Sequence, residues 1–464
     1  MRYGSINAAV LTIAATCAVA MQAEVPSAIA IKDAHVVTVS GADLPRGTVL
    51  LRDGLIEEVG VNIAVPADAW VIDGSGLTVY PGFIDALSTW GIPSGAPQAS
   101  ANRPTGGAPT TPAPAAQTQP EPRAHGPEDR PQTYSFERAA DLVNPSESRI
   151  EAARAAGFTT SATFPNRGIF EGLGAMIDLA GTRGRDMVVV QPVGQQIVFR
   201  LGPSGFGRTF PTSLMGNIAY VRQLFLDLNQ YRQAKQIYDA HPGGNRRPEY
   251  DHDLEGLAES PRILLPADEA QQIDRMLSFG QELKVPFVVY GMHEAYRRID
   301  ELKQAGVPVL VSLKWPEKPK NADPAEQQDY RQLEMQTQAP AVPGMLAKAG
   351  VKFAFYSDGV DNAADLKKAV KKAIDAGISR ADAIKALTLN AAEIYGAGDR
   401  LGSIEKGKIA NLVMTKGEAF EDKTTVEYVF IDGKEFEPSK DLQKEPANRG
   451  EPKQPAISGD RGAN

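Results

Sequence analysis

The sequence predicts an α/β protein in which a run of βα units is bracketed by strand-rich chain ends. Three observations carry this expectation. From Ala139 onward, helical and strand patterns alternate, the signature of βα units and parallel strands. Both chain ends instead read as short strands around the hairpin dipeptides Asp53-Gly54 and Asp432-Gly433. The length of 464 residues also leaves room for a (β/α)8 barrel of about 250 residues plus an accessory domain.

Residues 1–23 read as a secretory signal peptide. Arg2 precedes an apolar stretch from Ile6 to Ala20, with cleavage patterns at Ala18-Val19-Ala20 and Met21-Gln22-Ala23. The stretch is short for a membrane span. The expectation is therefore a periplasmic or secreted chain with no membrane anchor after cleavage; a retained anchor is the alternative. Residues 24–80 carry strand patterns at 36–39, 47–52, 55–59 and 70–73. Residues 92–132 are rich in Pro, Ala, Gly, Thr and Gln and read as a low-complexity insertion, too poor in apolar side chains to fold alone.

The alternating region follows. Helices are expected over 146–156, closed by Gly157, over 269–283, over 294–305, closed by Gly306, and over 341–349, closed by Gly350. Strands are expected over 158–164, 187–190, 287–290, 307–311 and 351–356. Helices over 365–376 and 379–389, the latter with Ser379 as N-cap, precede strand-like segments at 401–413 and 425–434. Residues 441–464 are polar, hold three prolines and read as a disordered tail.

Composition narrows the function. The net charge is −8, with both signs mixed along the chain, which argues against a nucleic-acid partner. The single cysteine, Cys17, lies inside the signal segment, so a cleaved chain would have neither disulfide nor thiol nucleophile. Lipid attachment at Cys17 is a minor alternative. There is no Gly-x-Ser-x-Gly elbow and no phosphate-binding loop. The glycine-rich segment 168–174 reads as a βα loop.

Residues 81–89 run Pro-Gly-Phe-Ile-Asp-Ala-Leu-Ser-Thr. This resembles the first-strand signature of the amidohydrolase superfamily, Pro-Gly-Phe-Ile-Asp-x-His-x-His. Residues 386–393, Ala-Leu-Thr-Leu-Asn-Ala-Ala-Glu, resemble the helix after the family's last barrel strand. Residues 402–413 resemble its Gly-Ser-Ile-x-x-Gly-Lys-x-Ala-Asp-Leu-Val, with Asn411 in place of Asp. Within the family the chain looks closest to secreted members similar to imidazolonepropionases. The resemblance implies a (β/α)8 TIM barrel over 81–397, with a small composite β-sandwich formed by both chain ends, 24–80 and 398–440. It also implies a hydrolase of carbon–nitrogen, non-peptide bonds that uses zinc or another divalent metal and takes a small molecule in the barrel mouth. An oligomer is possible.

The family's metal positions can be followed onto this chain. Side chains two apart on a strand face the same way, so a first-strand histidine pair aims both imidazoles at one metal. Such a metal lowers the pKa of its bound water from about 16 to about 7. Here the pair falls on Leu87 and Thr89. The bridging lysine or glutamate of the fourth strand should fall near Gln195 to Leu201, which holds neither lysine nor acid. The fifth-strand histidine falls on Pro266 and the sixth-strand histidine near Tyr290 to His293. The eighth-strand aspartate falls on Asp358. Asp358 is thus the candidate catalytic residue, and Asp358 and His293 are the remaining metal candidates. Both also have ordinary readings, Asp358 as a strand-ending turn and His293 as an exposed residue at a helix start. His35, His125, His241 and His252 lie in the sandwich or in polar loops, and Asp251-His252-Asp253 is a weak cation motif.

Two readings of function stay open. One is a divergent hydrolase in which Asp358 activates water as general base. The other is a non-catalytic binding or scaffold barrel that kept the fold and lost the metal.

Overall fold

The computed structural model describes residues 28–93, 129–200, 210–318 and 328–443. The expected signal peptide, Cys17, His125, Leu201, most of the 92–132 insertion and most of the tail from 441 lie outside the described residues. The strands are β1 (Ala28–Val36), β2 (Leu44–Arg52), β3 (Leu55–Gly60), β4 (Ala69–Asp73), β5 (Leu77–Pro81), β6 (Phe83–Ser88), β7 (Phe158–Thr163), β8 (Phe170–Leu173) and β9 (Ala175–Asp178). They continue as β10 (Val188–Val190), β11 (Gln195–Ile197), β12 (Ile263–Ala267), β13 (Phe287–Gly291), β14 (Val309–Ser312), β15 (Phe353–Tyr356), β16 (Leu412–Lys416), β17 (Thr425–Ile431) and β18 (Lys434–Phe436).

The first sheet joins the two chain ends, in the order β18-β17-β16-β5-β1-β2-β3, with β4 also on β1. β5 and β16 pair antiparallel from Leu412 opposite Pro81 to Lys416 opposite Leu77. Both expected hairpins form. Asp53 and Gly54, like Asp432 and Gly433, adopt positive φ, the backbone a tight two-residue turn requires. The N-terminal strands are not purely antiparallel as their short spacing suggests, because β4 and β5 each run parallel to β1.

The middle of the chain forms two ladders. β11 to β15 pair in sequence and in parallel, with β8 antiparallel on the outer side of β11. β6 and β7 are parallel, and β9 and β10 continue antiparallel from β7. The two ladders meet where Ser357 N, after β15, donates to the Asp85 carboxylate of β6 at 3.0 Å. They meet again where Val193 N and Gly174 O join at 2.9 Å. Alternate strand residues, including Ile84, Ala162, Leu264, Val288, Leu310 and Ala354, form one interior apolar cluster. Their neighbours, such as Phe83, Phe158, Leu265, Val289 and Phe355, pack outward against the helices.

Helix ends follow local chemistry. Glu269 and Gln272 form a reciprocal capping box at the start of Ala270–Leu283. Gly306 and Gly350 close Ile299–Ala305 and Val342–Ala349 in the left-handed conformation. Ser379 accepts from Asp382 N at the start of Arg380–Ala386. Three expectations are corrected. The segment 294–305 splits into a 3-10 turn, Ala295–Arg297, and a short helix. Of 401–413 only the end is strand. The helix Leu214–Ala240 was not anticipated, because its apolar residues bury only one face along its first half, through Tyr220, Val221, Leu224, Phe225 and Leu228. No helix among the described residues is long and apolar enough to cross a membrane.

Candidate active site at the strand ends

The carboxyl ends of β6 and β11 to β15, with the amino end of the antiparallel β8, bring most of the sequence candidates into one neighbourhood. Two of the expected metal positions are committed to other contacts. Leu87 is only 5% exposed and packs in the interior apolar cluster with Ile84, Ala86 and Phe164. The Thr89 hydroxyl accepts from Arg149 Nη1 at 2.8 Å, while Arg149 Nη2 donates to the carbonyls of Thr89 and Ile92. Arg149 is itself held by Glu147 at 2.9 Å. The pair therefore belongs to packing and to an arginine clamp.

The fourth-strand position is likewise occupied. Tyr290 on β13 donates its hydroxyl to the carbonyl of Ile197 at 2.9 Å. Just beyond, Arg200 reaches back to Glu171 on β8 and to the carbonyls of Gly168 and Asn166. Glu171 is buried, and that burial pushes its carboxyl up to about 7 against the pull of Arg200. Within 168–174, which the sequence suggests is a βα loop, Phe170–Leu173 form the strand β8, with Glu171 as a single buried acid. Pro266 sits opposite Tyr290 in the β12–β13 register and offers no donor atom.

His293 and Asp358 remain. His293 follows β13, and Asp268 follows β12. His293 Nδ1 lies 2.7 Å from Asp268 Oδ1, and His293 N donates to the same oxygen at 3.1 Å. With the Nδ1 proton assigned to that contact, Nε2 is left as the acceptor. Nε2 is buried and has no hydrogen-bond partner among the described residues. His293 is therefore a largely enclosed side chain rather than an exposed residue at a helix start. Asp358 accepts from Ser312 Oγ at 2.9 Å. Burial raises its carboxyl above the ordinary range, opposed by Ser312, Lys314 and His293. Both arms of this site are set by left-handed backbone, at Met292 (φ 75°) beside His293 and at Asp358 (φ 51°).

Sequence reasoning missed Asp268, Glu171, Arg200 and Ser312. Asp268 had a readable signal, since it lies two residues beyond Pro266 and so shares the face of a presumed ligand position. The Arg149 clamp had none. Of the other histidines, His252 opens the helix His252–Glu259, whose N-cap is Asp251, with its ring edge-on to Phe136. Asp251 is held by Arg130. The Asp251-His252-Asp253 motif is thus a capped helix start, not the polar loop the sequence suggests.

These donors do not fit a hydrolytic zinc, which usually takes three protein ligands. Among the described residues no group of three His, Cys, Asp or Glu is placed to hold a metal ion. What the arrangement offers is proton chemistry. An Asp-oriented imidazole with a bare nitrogen sits within electrostatic reach of a carboxyl of raised pKa.

Comparisons with known proteins agree with the architecture. Residues 268–436 match the profile of the Amidohydrolase family. The chain is similar to the crystal structure of an amidohydrolase from Thermotoga maritima MSB8, with 26% identity over 88% of this chain and 100% of that one and a TM-score of 0.70. It shares its fold with a prolidase complexed with N-methylphosphonate-L-proline, at 16% identity, 89% and 100% coverage and a TM-score of 0.51. Molinate hydrolase matches similarly, at 15% identity, 91% and 98% coverage and a TM-score of 0.51. A search of curated proteins finds no match. The parallel ladders, the interior apolar cluster and these likenesses give the chain a TIM-barrel-like fold of mixed α/β content, similar to that of amidohydrolases.

Proposed function

We propose that this chain is an amidohydrolase-superfamily protein whose barrel mouth binds a small polar compound of the amide type without a metal, and that it acts as a binding protein outside the cytoplasm. One observation carries the reading: the first-strand ligand positions are engaged elsewhere, Leu87 in the apolar interior and Thr89 under Arg149. Pro266 and the acid-free fourth strand point the same way. The reading includes closure of the two ladders into an eight-unit barrel through the Asp85–Ser357 contact, and folding of the composite sheet as a small sandwich. The extracytoplasmic setting rests on the apolar segment from Ile6 to Ala20 and its Ala-x-Ala pattern.

The test is metal content by mass spectrometry on protein prepared without chelator, together with melting in added zinc. Substoichiometric metal and an unchanged melting temperature are expected, because a ligand that binds only the folded state must raise it. Stoichiometric zinc in the purified protein overturns the reading.

A second reading is favoured by one specific observation, the buried and unpartnered Nε2 of His293. In it His293 takes a proton from a water that attacks the amide carbon, Asp268 steadies the imidazolium, and the imidazolium returns that proton to the leaving nitrogen as the C–N bond breaks, giving slow metal-independent hydrolysis of an amide or lactam. General base catalysis of this kind contributes about 10²–10⁴-fold. Any hydrolysis of an amide, lactam and hydantoin panel should then fall by about that factor in His293→Ala, and by less in Asp268→Asn. Turnover that survives both His293→Ala and Asp358→Ala removes this reading.

A further inference from the structure

A cavity of about 480 Å³ opens at the opposite end of the strands from the candidate site. Its walls come from the amino-terminal approaches to four consecutive parallel strands: Arg262 before β12, Phe287 at the start of β13, Val307 before β14 and Lys352 before β15. Lys303, on the helix Ile299–Ala305, and Glu393, on the helix Leu389–Ile394, complete the rim.

The charge on these walls is not balanced. Glu393 is the only acid lining the cavity among the described residues, and it is tied to Lys352 at 2.7 Å. Arg262 and Lys303 have no carboxylate partner among the described residues. Arg262 is the more telling of the two because it is half-buried, whereas Lys303 is exposed. Its guanidinium donates to the carbonyl of Val193 at 2.7 Å and lies 5.9 Å from the ring centre of Tyr395. These neutral contacts orient the guanidinium without neutralising it. Burial lowers its basicity, and only Tyr395 opposes this. An arginine that loses hydration without gaining an anion is an unfavourable arrangement unless something else supplies the anion. The remaining walls, including Phe287, Val307 and Val351, are apolar. Most small-molecule sites share this pattern of apolar lining with a few convergent polar groups.

We propose that this cavity binds a small organic oxyanion, a carboxylate or phosphate head on a compact apolar body, with Arg262 and Lys303 taking the head and Phe287 and Val307 the body. Arg262 presents a planar fork to the oxyanion and Lys303 a flexible point charge. The site is independent of the proposed mouth ligand, because it lies at the other end of the strands.

The test is calorimetric titration of the full chain with benzoate and with phenyl phosphate, using benzamide as the neutral control. At least one anion should bind saturably and benzamide at least about tenfold more weakly, the usual scale for a lost charge-assisted contact. Lys303 is solvent-exposed, so Lys303→Met leaves the fold intact and should weaken binding. Arg262→Met should weaken it further. Glu393→Gln frees Lys352 and should tighten it. Preference for phenyl phosphate over benzoate, or the reverse, identifies the head group. The proposal is overturned if neither anion binds, if benzamide binds as well as benzoate, or if the Lys303→Met and Glu393→Gln variants match the parent.

Discussion

Leu87 shows how a catalytic position becomes a packing position. A histidine there would carry two polar nitrogens into a cluster that includes Ile84, Ala86 and Phe164. Leucine instead contributes buried apolar surface. Leu87→Ala should therefore cost about 2–5 kcal/mol in denaturant unfolding, the range for a large-to-small core change, with metal content unmoved. A loss below about 1 kcal/mol would mean that the side chain is not core. Asn411 is explained in the same terms. Its side-chain amide donates to Asp178 Oδ1 at 2.7 Å, and its Oδ1 accepts from Asp432 N at 2.8 Å. The aspartate expected from the resemblance would set two buried carboxylates against each other, and the amide instead supplies a donor to one and an acceptor to the backbone. Much of the site was legible at this scale, since Asp358 and His293 could be placed by counting along motifs. Asp268 could have been counted from Pro266, but its meeting with His293, like that of Ser312 with Asp358, is set by strand register, which one sequence does not display. Arg149 reaches Thr89 from a helix 60 residues away in the chain.

Strand and helix positions were legible wherever one periodicity dominated. The helix over 269–283 shows a capping box and a regular apolar face, and it forms within one residue of expectation. Segments that mix signals were not legible. β8 is four residues long and lies within a segment that reads as a glycine-rich loop, and the equally short β9 after it was not anticipated. Leu214–Ala240 hides a half-buried helix behind a polar second half. The junction of β5 and β6 depends on a different kind of signal, the single glycine at 82. A Cβ there would lie 2.0 Å from Thr159 Oγ1. The start of β6 can therefore lie close to Phe158 and Thr159 only without a side chain at 82. Gly82→Ala should displace β6 from β7 and cost more than about 1 kcal/mol, the lower end for overpacking. Pairing the change with Thr159→Gly should recover a substantial part of the loss in thermal unfolding. An additive double variant would show that the close approach is not what limits position 82.

Across the whole molecule, three carboxyl groups are buried in the strand framework rather than on the surface. Asp85, Glu171 and Asp178 are each pushed up to about 7, with burial as the largest cause. Arg200 opposes the shift at Glu171, and Asn411 and Thr160 oppose it at Asp178. An unfolded carboxyl titrates near about 4, so between about pH 4 and 7 the folded chain holds protons that the unfolded chain releases. Their contribution to stability is complete below the unfolded value and is lost as pH rises through about 7. Each retained proton gives a slope of about 1.4 kcal/mol per pH unit inside that window. Carboxylates of lowered pKa act in the opposite sense, but their window lies below about pH 4. Glu294, held by Arg331, is one of these. The two sets therefore do not cancel, and the unfolding free energy should peak in mildly acidic solution and decline from pH 5 to pH 7.5. Asp178→Asn would set a second amide directly against that of Asn411, so the cleaner probe is Asp85→Asn. That variant keeps the acceptor for Leu87 N and Ser357 N and removes only the titration. Its decline between pH 5 and 7.5 should be shallower than that of the parent by up to about one proton's slope. A parent whose stability rises over this interval, or an Asp85→Asn variant with an unchanged slope, would show that the carboxyl at the seam between the ladders is already ionised in the folded chain.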